Sequence, residues 1–197
     1  MKSLGFSSDG RPVALKEWAV TVKALIEGTQ ILVLRKGGIS EETRDFELVS
    51  PAFFLLPAYE HQKPELLKEV YQPQIKQIME EWQPESDEIE IRAFAKVVED
   101  MEIRDQESLD RIREYHIWTD EFAEERLKWK RSKPLHLLLL RVSVLEQPVH
   151  IPVRPAYTGC KSWVAIEEDI SEQAAAEVLD DIAFNEQVAE IKRLLAL

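Results

Sequence analysis

The stretch EIEIRAFAKVVEDMEI, residues 88 to 103, alternates: Ile89, Ile91, Ala93, Ala95 and Val97 fall between Glu88, Glu90, Arg92, Phe94 and Lys96. A period of two sends successive side chains to opposite faces, so the pattern predicts a long strand with one wet face. LHLLLLRVSVL, residues 135 to 145, is apolar at nearly every position and predicts a central strand, which QPVHIPV continues beyond a break at Pro148. Nearer the start the spacing changes. After Pro12, the residues Ala14, Leu15, Trp18, Ala19, Val22, Leu25 and Ile26 recur every three or four positions, which predicts a helix running from Pro12 to a stop at Gly28.

Shorter elements fill the rest. A strand is predicted from Gln30 to Leu34, a turn at Gly37-Gly38, a strand from Phe46 to Val49, and a strand in AFFLLPAYEHQ (52 to 62) that Pro57 ends. Residues 64 to 82 read as one or two helices interrupted near Gln72-Pro73. Charged helices are predicted over 106 to 130, with Trp118, Phe122 and Trp129 as inward anchors, and a short strand over 162 to 166. Asp169, with Glu172 three residues on, predicts the capping box of a helix over 171 to 195 whose apolar face is Val178, Leu179, Ile182, Val188, Ile191 and Leu195. Strands and helices mix without regular βαβ alternation, which predicts an α+β fold around a mixed or antiparallel sheet. Residues 1 to 168 read as a single domain, and 169 to 197 as an acidic amphipathic helix packed on it.

Charge sharpens this division. The 197 residues carry a net charge of −12. From Glu167 to Leu197 nine acidic residues stand against two basic ones, whereas from Lys128 to Trp163 seven basic residues stand against Glu146 alone. A basic segment followed by an acidic one predicts either two solvated surfaces of opposite sign or a polyanion site that the tail partly masks. The single cysteine, Cys160, offers no intramolecular disulfide, and no apolar run is long enough for a signal peptide or a membrane span, so a cytoplasmic protein without a membrane partner is expected.

The candidate chemistry is sparse. RKGGISEE (35 to 42) lacks both phosphate-loop glycine spacings and reads first as a strand running into its turn, with Arg35 and Lys36 as a basic surface contact. His61, His116, His136 and His150 are widely separated and neither C-x-x-C nor H-E-x-x-H occurs, so no metal or other cofactor is expected. Cys160, next to Lys161, reads as a small side chain in a turn. The Glu-x-Lys of a metal nuclease occurs only at Glu190-Ile191-Lys192, and Glu88, Glu90 and Arg92 are its nearest substitute. More informative is the interleaving of Trp129, Tyr157 and Trp163 with Lys128, Lys130, Arg131, Arg154 and Lys161, since unpaired bases are bound by stacking together with positive charge. Tyr157, in the PAYTG turn, is the aromatic expected to be exposed.

The words ALKEWA (14 to 19), LRKGGI (34 to 39), FFLLPAYEHQ (53 to 62), LLLLRV (137 to 142) and PAYTGCKSWV (155 to 164) occur in an order that resembles a bacterial family, common in cyanobacteria, known as a domain of unknown function. This resemblance covers about residues 12 to 168 and implies no activity. A second likeness is to PUA-like domains of the ASCH type, small β-barrels associated with RNA or modified-base binding, whose motif is G-x-K-x-x-E-x-R. Gly28 and Arg35 match it, while Gln30 stands for the lysine and Val33 for the glutamate, so Arg35 alone is carried over as a candidate contact. IRAFAKVVE and LLLRVSVLEQPVHIPV also look like strands of that class. The likeness implies that the sheet is curved or barrel-like and flanked by helices.

The leading expectation is a non-catalytic module that binds RNA, single-stranded nucleic acid or a nucleotide, with Arg35 and Lys36 on phosphate, Tyr157 stacking, and Arg154 and Lys161 adding charge. The alternatives are an enzyme, such as a divalent-metal-dependent nuclease or a hydrolase, with its site at Tyr59, Glu60 and His61, and an adaptor that meets a protein partner through the C-terminal helix.

Overall fold

The computed structural model describes residues 10–36, 46–129, 133–170 and 174–196. In chain order these form β1 (Val13–Trp18), α1 (Ala19–Ile26), β2 (Leu32–Arg35), β3 (Ala52–Ala58), α2 (Gln72–Glu81), β4 (Glu88–Ile103), α3 (Gln106–Arg111), α4 (Asp120–Lys128), β5 (Leu135–Pro152), β6 (Trp163–Ala165), β7 (Ala175–Glu177) and α5 (Asp181–Leu194), joined in places by single 3₁₀ turns. The fold is α+β. Its one mixed sheet runs β2-β5-β4-β3-β1-β6, with β7 also paired to β5, and β1 lies parallel to β3 while the other pairs are antiparallel. The predicted Gly37-Gly38 turn and the Glu172 half of the predicted capping box lie outside the described residues.

The long strands β4 and β5 form the spine, as their patterns predict. Their ladder is broken twice. Val97 pairs with Leu140 and Glu99 with Leu139, so Val98 is an extra residue and its side chain turns outward, 46% exposed. Ala93 pairs with Val144 and Ile91 with Val149, so four residues of β5, Leu145 to Pro148, stand opposite Arg92. Pro148 thus falls where the β4–β5 ladder is open and its missing N–H removes none of that ladder's bonds. The same logic corrects Pro57, which does not end its strand. Beyond Phe54 the strand β3 has left β4 and pairs only with β1, so a proline is tolerated at Pro57.

The N-terminal helix begins later than predicted. Residues 13 to 18 are β1, held between β3 and β6 and buried along almost its whole length. A strand buried on both faces loses its alternation, and its apolar positions then imitate helical spacing. Helix α1 starts only at Ala19; Trp18 cannot cap it, and the side chain of Gln62 accepts from the Val20 N–H at 3.0 Å instead. Gly28 ends this segment at φ 70°, and a Cβ there would lie 2.9 Å from Leu179 Cδ2. Other corrections are local. Residues 46–49 form no strand, although Phe46 is buried; Pro73 opens α2 in its first turn rather than interrupting it; and the C-terminal helix is capped by Asp180, whose carboxylate accepts from the Ala183 N–H at 2.8 Å. Phe184 and Ile191 are its buried residues, and the predicted Ile182 is 73% exposed.

The core explains the shape of the sheet. Val13 and Leu15 of β1, Val33 of β2, Phe53 and Leu55 of β3, Ala93 and Ala95 of β4, and Leu138, Leu140 and Val142 of β5 meet in one cluster with Val22 and Leu25 of α1. Strands far apart in the ladder therefore share one inner face, which requires the sheet to curve. The opposite face of β2 and β5 carries Leu32, Leu34, Leu135, Leu137 and Leu139 against the helices, including Phe184 and Ile191 of α5. The sheet is curved but open, because no ladder joins β2 to β1 or β6 among the described residues.

Candidate functional site

Where β1 and β2 come together at the open seam, a side-chain latch joins them. Arg35, the last residue of β2, is only 8% exposed. One of its terminal nitrogens donates to Glu17 Oε2 of β1 at 2.9 Å and the other to Ser162 Oγ at 2.5 Å, and its Nε has no partner among the described residues. Beside it Lys16 donates from Nζ to the Gly159 carbonyl at 2.8 Å. Two charged residues can occupy a central strand because each finds a partner where the strand leaves the core.

Above this latch is a cleft of about 510 Å³, walled by the C-terminal half of α4, the turn that follows β3, and the turn at 159–162. Lys36 is buried in it, donating to the Leu127 carbonyl in the last turn of α4, where a helix favours a cation; burial pushes its amine below the usual lysine value. Phe122 and Arg126 are four residues apart on α4, and the guanidinium lies over the Phe122 ring, 5.2 Å from its centroid. Phe122 in turn stacks on Trp18 at 5.3 Å and 21°. Trp129, predicted as an inward anchor, is 39% exposed at the cleft's edge. The wall is therefore aromatic and the floor basic.

The charge balance of the lining is opposite to that of the protein. Lys16, Arg35, Lys36, Arg126 and Lys161 face Glu17, Glu60 and Glu125, an excess of two positive charges in a chain of net −12. Glu17 is already taken by Arg35. Arg126 and Lys161 form no ion pair among the described residues. Burial and then the like charge of Arg35 act against the Arg126 cation, and Glu17 only partly offsets them. An anion bound here would relieve that imbalance.

The predicted contacts divide. Arg35, Lys36, Lys161, Glu60 and His61 all line this cleft, with Cys160 among them. Glu60 and His61 sit at its exposed rim, and His61 holds a left-handed backbone at φ 63°. Arg154 and Tyr157 do not belong to it. Tyr157, expected to be exposed, is 1% exposed; its hydroxyl donates to Glu168 Oε2 at 2.5 Å and accepts from the Glu167 N–H at 2.7 Å, and burial followed by the Glu168 bond raises its pKa. Arg154 donates to Glu168 Oε1 at 2.6 Å and lies 3.5 Å from Glu167, so the start of the acidic tail neutralises it. Trp163 packs edge-on to Phe53 and donates to the Glu47 carbonyl, which removes it as a stacking platform. Lys130 and Arg131 of the basic segment lie outside the described residues.

The other acid-base readings resolve into surface pairs: Arg92 with Glu90 at 3.8 Å, Arg193 with Glu190, and Lys192 with Glu99. No three His, Cys, Asp or Glu side chains converge to hold a metal ion among the described residues. No helix there is long and apolar enough to cross a membrane. Sequence reasoning missed Lys16, Glu17, Phe122 and Arg126 as site residues. For the last two a signal exists, since Phe122, Arg126 and Trp129 follow i, i+4, i+7 spacing and share one helix face. For Lys16 and Glu17 there is none, because the strand that holds them reads as helix.

The class of protein is thus an α+β domain with an open, curved sheet and a basic, aromatic-walled cleft at its seam. Over residues 14–190 the chain matches the model of a family described as a domain of unknown function (DUF1802), and it belongs to that family. No curated protein and no solved structure matches it.

Proposed function

We propose that the protein is a non-catalytic module that binds single-stranded nucleic acid, RNA in particular, or a nucleotide, in the cleft between β1, α4 and the 159–162 turn. The observation that carries this reading is the meeting of Arg126 and Lys161, two cations without ion-pair partners among the described residues, with the wall of Trp18, Phe122 and Trp129. Stacking and positive charge together suit an unpaired base attached to a phosphate, and the cleft's size suits a small ligand rather than a duplex. Lys161 is retained from the sequence reading. Arg35 and Lys36 act from beneath, their polar atoms largely committed to Glu17, Ser162 and Leu127.

The test is a fluorescence-anisotropy titration of labelled single-stranded RNA and DNA at about 50 and 200 mM salt, with Arg126→Gln/Lys161→Gln as the variant. Binding that weakens with salt and falls about tenfold or more in the variant supports the reading. Salt-insensitive binding, or none by folded protein, overturns it.

A second reading, an enzyme using Glu60 and His61, is favoured by one feature: the left-handed backbone of His61 at the rim of the same cleft. Any turnover found in the cleft is then lost in His61→Ala, and turnover that survives the substitution removes this reading.

A further inference from the structure

Resting on the binding reading above, we infer that the cleft recognises the end of a strand, a terminal phosphate monoester with its adjoining nucleotide, rather than an internal stretch of backbone. The first argument is charge. The lining carries two more positive side chains than negative ones. A monoester carries about −2 at neutral pH, whereas an internal diester carries −1. A terminal phosphate neutralises the excess with one group.

The second argument is donor geometry. Lys161 is exposed and Arg126 half-buried, and neither is held by a carboxylate among the described residues. Together they present a planar fork and an ammonium, a donor set suited to the three free oxygens of a monoester. The third is size and closure. At about 510 Å³ the cleft is on the scale of one small ligand, and its floor is shut by Lys16 and Glu17 of β1, both under 10% exposed. Phe122 is covered by Trp18 and by the Arg126 guanidinium, but Trp129, 39% exposed, lines the same space, so a phosphate on Arg126 and Lys161 brings its own base near that aromatic ring.

The experiment compares four single-stranded RNAs of one eight-nucleotide sequence with an internal fluorophore: 5′-phosphorylated, 3′-phosphorylated, hydroxyl at both ends, and circular. The expected result is that at least one phosphorylated form binds about tenfold more tightly than the hydroxyl-ended and circular forms. Lys161→Gln, at an exposed position, should reduce that preference to about twofold, and Arg126→Gln should do the same if it folds. Equal affinity for all four RNAs overturns the terminal-phosphate proposal and leaves the nucleic-acid reading standing. Failure of all four to bind overturns both. A preference that persists unchanged in Lys161→Gln and in folded Arg126→Gln places the phosphate elsewhere and overturns the assignment to this cleft.

Discussion

The cleft around Arg126 and Lys161 and the turn that carries Arg154 and Tyr157 contain the same side-chain types, and the two turns adjoin in sequence, yet they are electrostatic opposites. In the turn, Glu168 takes one bond from Arg154 and one from Tyr157, and the Glu167 N–H completes the phenol's set, so the cation and the phenol are both already held by the same acid. In the cleft, cations outnumber carboxylates, and two of them, Arg126 and Lys161, have neither an ion pair nor a side-chain hydrogen bond among the described residues. Residue type alone therefore does not make a binding site. What distinguishes the two regions is whether nearby acids have already satisfied the positive charge.

The sharpest way to break the comparison is to remove the one acid that organises the cleft. Glu17→Gln leaves the Arg35 guanidinium buried without its charge partner and should cost about 3–5 kcal/mol in urea unfolding. A loss below about 1 kcal/mol would mean that Ser162 and the Lys16 carbonyl suffice to hold Arg35. Next in size is acid sensitivity at a third site, where a histidine ring is buried. Neither ring nitrogen of His116 makes a well-formed hydrogen bond among the described residues, and burial, then the charge of Lys68, hold its pKa at about 4, with Asp120 opposing. An unfolded histidine titrates near 6.5, so between 6.5 and 4 the unfolded chain binds the extra proton. Stability then falls as pH drops through that window, by roughly 3 kcal/mol at its lower end, and His116→Phe should flatten the profile. An unchanged slope in the variant would assign the acid sensitivity to other groups.

Smaller effects sharpen the contrast. Tyr157→Phe strands the Glu168 oxygen and the Glu167 N–H and should cost about 1–2 kcal/mol of stability with oligonucleotide binding unchanged. Lys161→Gln should do the reverse, moving stability by less than about 0.5 kcal/mol while weakening binding. If Tyr157→Phe lost binding at full stability, the assignment of the two regions would have to be exchanged.

Much of the fold is legible in the sequence where one face is wet. The alternation over 88 to 103 marks β4 to the residue, and the apolar run from 135 marks β5, because neither signal depends on distant partners. Legibility fails where tertiary pairing decides. Residues 13 to 18 are buried on both faces, so their spacing loses the strand's alternation and imitates a helix, and Pro57 and Pro148 lie where a strand has lost one neighbour, a fact about the sheet and not about the proline. The site follows the same rule. Arg35, Lys36 and Lys161 stand out as basic residues beside glycines, and the structure brings them to one cleft. Tyr157 is not legible, because a tyrosine in a proline-flanked turn reads as exposed until Glu168 comes into contact with it. Arg126 is hidden because acidic residues surround it on α4, and only its place beside Trp18 and Arg35 gives it meaning.

The latch between Arg35 and Glu17 has a practical consequence. It fastens β2 to β1 across a seam that no ladder closes among the described residues, and both of its residues line the cleft. Occupancy of the cleft and integrity of the native state are thus thermodynamically linked, so any genuine ligand is also a stabiliser, worth roughly 2.7 kcal/mol at a hundredfold excess over its dissociation constant. A melting-temperature shift across a library of phosphorylated metabolites and short oligonucleotides can therefore find the natural ligand without any assay of activity, and its loss in Lys161→Gln assigns that ligand to the cleft.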